Sequence, residues 1–369
     1  MSGIRVNEWL HNSGTGGIWQ TSAGNVGVAS SAPTAKLVVT GDVNVSGALT
    51  ATNFNGGQVG NRNKIVNGGW QVSQRGDITH SYSWAGDRFQ NRTGSSVVMT
   101  RTGDVPVGFS SAMLFTAGSG TLTFKWNTLV EAGDNLKGTG IQNVYGANTQ
   151  WTVSLWATAA VNVKVGFCND NGAGDFQTIQ ALTAMESTGE TSNNYTRYKK
   201  TFSIASITPH ANNKGIQVQY EAVSAASAIK FTGAQLERGA HVTPFEHKSY
   251  AQDLLDCQRY YYRVYANNNI FFPGMGMADT DGNTVILNTQ LPVVMRGEPS
   301  ALEQTGTAGD YKIRRSTTAT CSAVPTFGHA SKYHVSTNFT SASHGFGDGS
   351  AVRCMSGTTD AYLGWDAEL

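Results

Sequence analysis

What most constrains this chain is a two-residue rhythm repeated in many short runs. Leu122, Phe124 and Trp126 alternate with Thr121, Thr123 and Lys125. Trp151, Val153 and Leu155 alternate with Thr152, Ser154 and Trp156, and Val161, Val163, Val165 and Phe167 with Asn162, Lys164 and Gly166. Ile216, Val218 and Tyr220 do the same with Gln217, Gln219 and Glu221. Successive side chains of a strand point to opposite faces, so each run reads as a strand buried on one side. Turn clusters such as Asn169-Asp170-Asn171-Gly172 separate the runs. Many short strands without intervening helices argue for a β-sandwich, and a jelly roll is the expected form.

Composition narrows the choice further. Gly, Ser, Thr and Asn fill 141 of 369 positions, and only 14% of residues are charged, where about 25% is ordinary. A mainly helical fold would need more Glu, Lys, Arg and Leu than this. With 39% hydrophobic residues the chain has enough apolar surface to offset the entropy of ordering, so disorder is not expected. The net charge is +1 and there is no basic run, which argues against a nucleic-acid partner. No stretch reaches the ~20 apolar residues of a membrane span, and the Met1 end has no leader-like pattern. Cys168, Cys257, Cys321 and Cys354 are far apart, so free and mostly buried thiols are expected rather than a disulfide framework or structural zinc.

Four regions follow. Residues 1–60 hold short apolar bursts between glycines, each too short to bury itself within one chain; Val26, Val28, Leu37, Val39, Val43, Val45 and Leu49 nevertheless fall near alternate positions. Residues 61–247 carry the sandwich pattern. Ser249, with Gln252 three residues on, has the spacing of a capping box. Downstream, Tyr250, Leu254, Cys257, Tyr261 and Val264 are spaced 4, 3, 4, 3, the seam of a coiled coil about two heptads long. The spacing predicts a helix over 248–265, either a trimeric neck or an amphipathic helix on its own domain. Residues 266–369 read as a second β-domain, with strands at 270–272, 284–287, 291–295, 312–314, 319–323, 352–355 and 362–363.

Catalytic text is absent: there is no GxGxxG, P-loop, HExxH, GxSxG or EF-hand loop. His329, His334 and His344 lie near Asp348 in sequence, but without the close His pairing of a metal site, so no metal or other cofactor is expected. A glycoside hydrolase needs two carboxylates across the sugar. Asp170 with Asp175 and Asp279 with Asp281 sit in Asn/Gly-rich turns and read as loop tips. Trp126, Trp151 and Trp156 read as core residues, whereas Trp70, Trp84 and Trp365 are open to either packing or stacking on a sugar.

Three stretches resemble bacteriophage tail fibres and receptor-binding proteins. Gly24-Asn25-Val26-Gly27-Val28, Pro33-Thr34-Ala35-Lys36-Leu37-Val38-Val39 and Gly41-Asp42-Val43-Asn44-Val45-Ser46-Gly47 resemble fibre-shaft text. Asn63-Lys64-Ile65-Val66-Asn67-Gly68-Gly69, Gln74-Arg75-Gly76 and Ala85-Gly86-Asp87-Arg88-Phe89 resemble the opening of a fibre-associated jelly roll. Phe231 to Glu237, Thr243-Pro244-Phe245-Glu246-His247-Lys248-Ser249-Tyr250 and Cys257-Gln258-Arg259-Tyr260-Tyr261 resemble its closing signature, which Leu291-Pro292-Val293-Val294-Met295-Arg296 follows in such fibres. The resemblance implies a homotrimeric virion appendage made in the host cytoplasm. Its N-terminal part would attach to other tail or virion proteins, the jelly roll would be a carbohydrate-module-like spacer, and 266–369 the host-facing tip that binds a surface glycan without catalysis. The alternatives are a capsid-decoration or fibre-connector protein with no receptor contact and, less favoured, a polysaccharide depolymerase.

Overall fold

The computed structural model describes residues 8–10, 17–40, 43, 61–76, 84–85, 87–92, 97–117, 122–132, 140–146, 148–168, 176–204, 208–224, 228–342 and 344–368. The chain forms two compact units, 1–53 and 54–369. Almost all of its regular structure is strand.

In the first unit, Glu8–Leu10, Gly17–Gln20, Val26–Val28 and Leu37–Val39 form a four-stranded sheet in chain order. The last pair is parallel, with Val26 opposite Leu37 and Val28 opposite Val39. Each strand is only three or four residues long. Among the described residues of this unit no large apolar side chain is buried, while Ile18, Leu37 and Val43 are exposed. Of the shaft-like text, Gly41, Asp42 and residues 44–47 lie outside the described residues, as do Val45 and Leu49.

In the second unit, two six-stranded antiparallel sheets form the sandwich. The front sheet runs Glu186–Ser192, Tyr195–Ile204, Thr149–Ala157, Ala228–Arg238, Ala112–Ala117, Val97–Thr102. The back sheet runs Gln177–Ala184, Asn162–Cys168, Gly215–Ser224, Leu122–Glu131, Phe89–Asn91, Trp84–Ala85. The chain passes repeatedly from one sheet to the other, as a jelly roll requires. The inward halves of the alternating runs meet in one core, where the Phe231 ring stacks 4.2 Å from Trp126 and 5.2 Å from Phe115. Trp70 joins that core, fully buried and 4.2 Å from Phe89. Trp151 is buried too, but Trp156 is half-buried on the outward side of its strand, so it is not a core residue. The Trp84 side chain and the Asn169–Gly172 turn lie outside the described residues.

The strap formed by the closing signature covers part of the front sheet's outer face. Thr243 N–H donates to Glu237 Oε1 (2.9 Å) and Glu246 N–H to Gln235 Oε1 (2.8 Å), satisfying two side chains that are wholly buried on that face. The opening motif lies against the same strand: Asn63 Nδ2 donates to Ala234 O (3.0 Å) and Leu236 N–H to Asn63 Oδ1. A Cβ at Gly68 would sit 2.0 Å from Ala234 O, so only glycine fits this approach.

A three-stranded sheet, Tyr261–Tyr265, Tyr362–Asp366, Ala301–Glu303, then packs on a seven-stranded one. The latter runs Thr318–Thr320, Tyr311–Arg314, Ala351–Ser356, Met275–Ala278, Thr284–Gln290, His334–Thr340, Thr326–Ala330. Between them lies a second core of Phe272, Val285, Leu287, Tyr311, Phe339 and Trp365, the last donating to Thr337 Oγ1 at 3.1 Å. The expected strand at 291–295 is not one. Leu291 and Met295 are buried, but their N–H groups bond Tyr333 O and Lys332 O from an irregular segment around Pro292, which has no N–H to give a ladder. The four cysteines are free and buried.

Candidate ligand-binding site

The helix begins where the sequence places it and ends sooner. Ser249 Oγ accepts the Gln252 N–H at 3.3 Å, but the Gln252 side chain turns to Asp256 (2.8 Å), so only half the capping box forms. The helix is Tyr250–Gln258, not 248–265. Tyr261 and Val264 lie in the strand Tyr261–Tyr265, paired with Tyr362–Asp366. Cys257 and Tyr261 are fully buried within this one chain, Leu254 is half-buried and Tyr250 is 55% exposed. The five residues therefore form no continuous helical seam, and two of them have no surface to offer another chain. Tertiary hydrogen bonds override the spacing: Tyr260 donates to Glu131 Oε2 (3.0 Å) and Tyr261 to Glu303 Oε2 (2.6 Å).

Those tyrosines belong to a charged junction between the sandwich and the C-terminal sheets, built mostly from the motif residues. Arg75 pairs with Asp366 (2.9 Å), Glu303 and Glu368 (both 3.4 Å), with its guanidinium 3.5 Å from the Tyr261 ring centroid. Arg88 pairs with Glu368, donates to Leu129 O (2.6 Å) and lies 3.4 Å over Tyr260. Gln74 Nε2 bridges Asp87 Oδ2 (2.9 Å) and Tyr261 O (2.8 Å). Arg263 closes the far side on Glu303 at 2.6 Å. Burial raises the Asp87 carboxyl, with the Arg75 charge pulling the other way. Motif positions some 190 residues apart thus hold one joint, and their role here is architectural.

A pocket of about 470 Å³ opens at the edge of the front sheet, lined by Gln71, Arg101, Thr102, Gly103, Ser110, Ser111 and Tyr250. Its walls are fixed. Arg101 Nη1 donates to Gln71 O (3.0 Å), Gln71 Nε2 to Lys248 O and Asp253 Oδ2 (both 3.2 Å), and Ser111 Oγ to Trp70 O (2.7 Å). Tyr250, the first residue of the helix, presents its ring at this pocket. Guanidinium, amide and hydroxyl groups beside an exposed aromatic ring suit a polyhydroxylated ligand, whose hydroxyls take the hydrogen bonds and whose C–H face rests on the ring. Four separate segments contribute, so no periodicity in the sequence marks the site. Of the lining residues the heptad spacing marks only Tyr250, and as part of a helical seam rather than a ligand site.

The other candidates do not converge. Among the described residues no group of three or more His, Cys, Asp or Glu is placed to hold a metal ion. His344 is buried and stacks on Phe346, His334 is exposed against Ser331, and His329 is exposed. Asp279 accepts from its neighbour Thr280, and Asp281 caps a turn by accepting from Thr284 and Asn283. Those bonds, the Thr284 hydroxyl first, hold the Asp281 carboxyl below its usual range, which keeps it ionised at neutral pH. Asp170 and Asp175 lie outside the described residues. Trp365 is fully buried.

No protein-family model matches the chain, and no curated protein matches it. Solved structures similar to it include the enzymatically active domain of bacteriophage CBA120 tailspike protein 4, at 13% identity and a TM-score of 0.31, covering 55% of this chain and 25% of that one. They also include a carbohydrate-binding module, TmCBM61, in complex with β-1,4-galactotriose (12%, 0.27, 48% of this chain and 99% of the module). A third is the CBM22-1 xylan-binding domain from Paenibacillus barcinonensis (13%, 0.27, 45% and 95%). The chain spans about a quarter of the tailspike domain's length.

Proposed function

We propose that the chain is a non-enzymatic adhesion protein, a homotrimeric tail fibre of a bacteriophage virion that binds a host-surface polysaccharide. The pocket at the sandwich edge carries the binding part of this reading, because it sets an exposed Tyr250 ring beside fixed hydrogen-bonding groups. The motif resemblance supports the virion setting. The trimer rests on the first unit, whose short sheet buries no large apolar side chain among its described residues and gains a core from neighbouring copies. The Tyr250–Val264 seam no longer supports it. Several weak sites on one trimer add up through avidity.

Deleting 263–369 is not a clean test of the tip, because it would strip Arg75 and Arg88 of their carboxylate partners. A point change at the pocket is better. Tyr250→Ala in the full chain is expected to leave the thermal midpoint unchanged and to weaken binding to host-envelope polysaccharide about tenfold or more. Unchanged binding would remove the pocket from the reading. Release of reducing sugar from the bound polysaccharide would overturn its non-enzymatic part.

A further inference from the structure

One face of the C-terminal seven-stranded sheet covers the second core; on the other, Met355 is buried between Lys312 and Phe271, while the stretch at Arg314, Arg353 and Met275 is exposed. Ile313, Val352, Cys354, Val285 and Leu287 are buried on the inner side, so alternation sends Arg314, Arg353, Met275 and Asn288 outward. The register places Arg314 directly opposite Arg353, with Thr318 on its far side. Gly276 opposite Val352 puts Met275 beside Arg353, and Asn288 lies beyond Met275. The row from Thr318 to Met275 crosses three strand spacings, about 14 Å. Beside it the Arg353 guanidinium lies 4.8 Å from the Phe271 ring centroid. Met275 is 70% exposed, Met277 51% and Phe271 37%.

Two features of this face call for a ligand. Like charges directly opposite on neighbouring strands destabilise a sheet, and among the described residues neither arginine has an ion-pair partner. Beside them stands an apolar platform of one ring and two thioethers that water solvates poorly. An anion with a flat C–H face satisfies both.

We propose that this face binds an acidic polysaccharide, with carboxylates held between Arg314 and Arg353 and the C–H faces of its sugar rings against Phe271 and Met275. This rests on the reading of the chain as a glycan-binding protein and adds a second site to it. Charge density selects the occupant. A nucleic acid brings a phosphate at every residue and needs a long basic track, whereas this chain has a net charge of +1 and the face has one compact cluster, Arg314 and Arg353 with Lys312 next along the strand. A second copy meeting this face with its own would oppose arginine to arginine.

The test is affinity electrophoresis of the full chain in gels containing polygalacturonate, heparin, carboxyl-reduced polygalacturonate or a 20-nucleotide single-stranded DNA. Retardation by at least one anionic polysaccharide, absent with the carboxyl-reduced polymer and lost as salt rises, is expected. Arg314→Gln with Arg353→Gln should weaken it tenfold or more, whereas Lys164→Gln with Lys199→Gln, an equal charge loss on the sandwich, should change it less than twofold. Because the arginine pair repels itself, its removal should raise the thermal midpoint by about 1–2 °C. No retardation by either anionic polysaccharide, an equal loss in the lysine control, or a midpoint that falls by several degrees would overturn the proposal. So would tighter binding to DNA, or a lower native mass of the arginine variant, which would assign the face to nucleic acid or to a second copy. If Tyr250→Ala abolishes binding to host polysaccharide while the arginine variant changes nothing, this inference falls and the glycan reading stands; if neither substitution matters, both fall.

Discussion

The N-terminal sheet, residues 8–39, and the sandwich are written in the same alternating script, yet among the described residues only the sandwich has an interior. In the sandwich, strands of up to eleven residues lay their apolar halves against a second sheet, and Phe115, Phe124, Trp126 and Phe231 disappear from solvent. In the N-terminal unit three- and four-residue strands form a single layer, with Leu37 at 62% exposure. Alternation specifies a face, and a face becomes a core only when something covers it. In the larger unit this chain supplies the cover. In the smaller one the described residues supply none, and in the proposed trimer neighbouring copies supply it.

The largest effect should come from breaking the larger unit where its β-layers join. Glu368 is the shared partner of Arg75 and Arg88, and the side chains of all three are at most 4% exposed. Glu368→Ala leaves two guanidiniums buried with fewer countercharges, which should cost about 3–5 kcal/mol of unfolding free energy. Urea denaturation of the 61–369 fragment and of the full chain should show the same loss, because the arginines and carboxylates described at the joint all lie within 61–369. A loss below ~1 kcal/mol would mean that the junction is wet rather than buried.

Next in size is assembly. If neighbouring copies cover the N-terminal sheet, the full chain should run at three times its 39.2 kDa protomer mass, a closed threefold assembly. The 61–369 fragment should run as a monomer with an unchanged urea midpoint. Light scattering on both decides it: a trimeric fragment would move the assembly surface into the larger unit and dissolve the contrast between the two regions.

Much of this architecture is legible in the sequence, and its failures have physical causes. Trp151, Val153 and Leu155 are buried where alternation puts them, and Ser249 caps the helix it announces. The helix's end is illegible because Tyr260 and Tyr261 are claimed by Glu131 and Glu303, one far upstream and one downstream, and no local spacing reports such partners. Leu291–Met295 reads as a strand because burial needs apolar residues, but burial does not require a ladder. The pocket draws Gln71, Arg101, Ser110 and Tyr250 from four segments. Arg314 faces Arg353 only once the sheet's register is known.

The smallest expected effect concerns a buried charge, a feature that the described residues of the N-terminal unit lack. Asp253 is 4% exposed in the first turn of the helix and accepts from Gln71, a wall of the pocket. Burial holds its carboxyl above the ordinary value of 3.8, with the nearby Lys248 charge pulling it down. A raised folded value means that the folded state prefers the protonated form. Asp253 therefore contributes stability that is complete below 3.8 and is lost as pH rises through the folded value. Asp253→Asn removes that dependence while keeping an acceptor for Gln71. At pH 7 the variant should lie within ~1 kcal/mol of the parent. As pH falls towards 4 the parent should gain on it, because only the parent can take up the proton. Urea midpoints at the two pH values give the sign, and the fragment 61–369 should show the same slope as the full chain. A difference that does not change with pH would mean that water reaches this carboxyl and that the wall holding Gln71 is open.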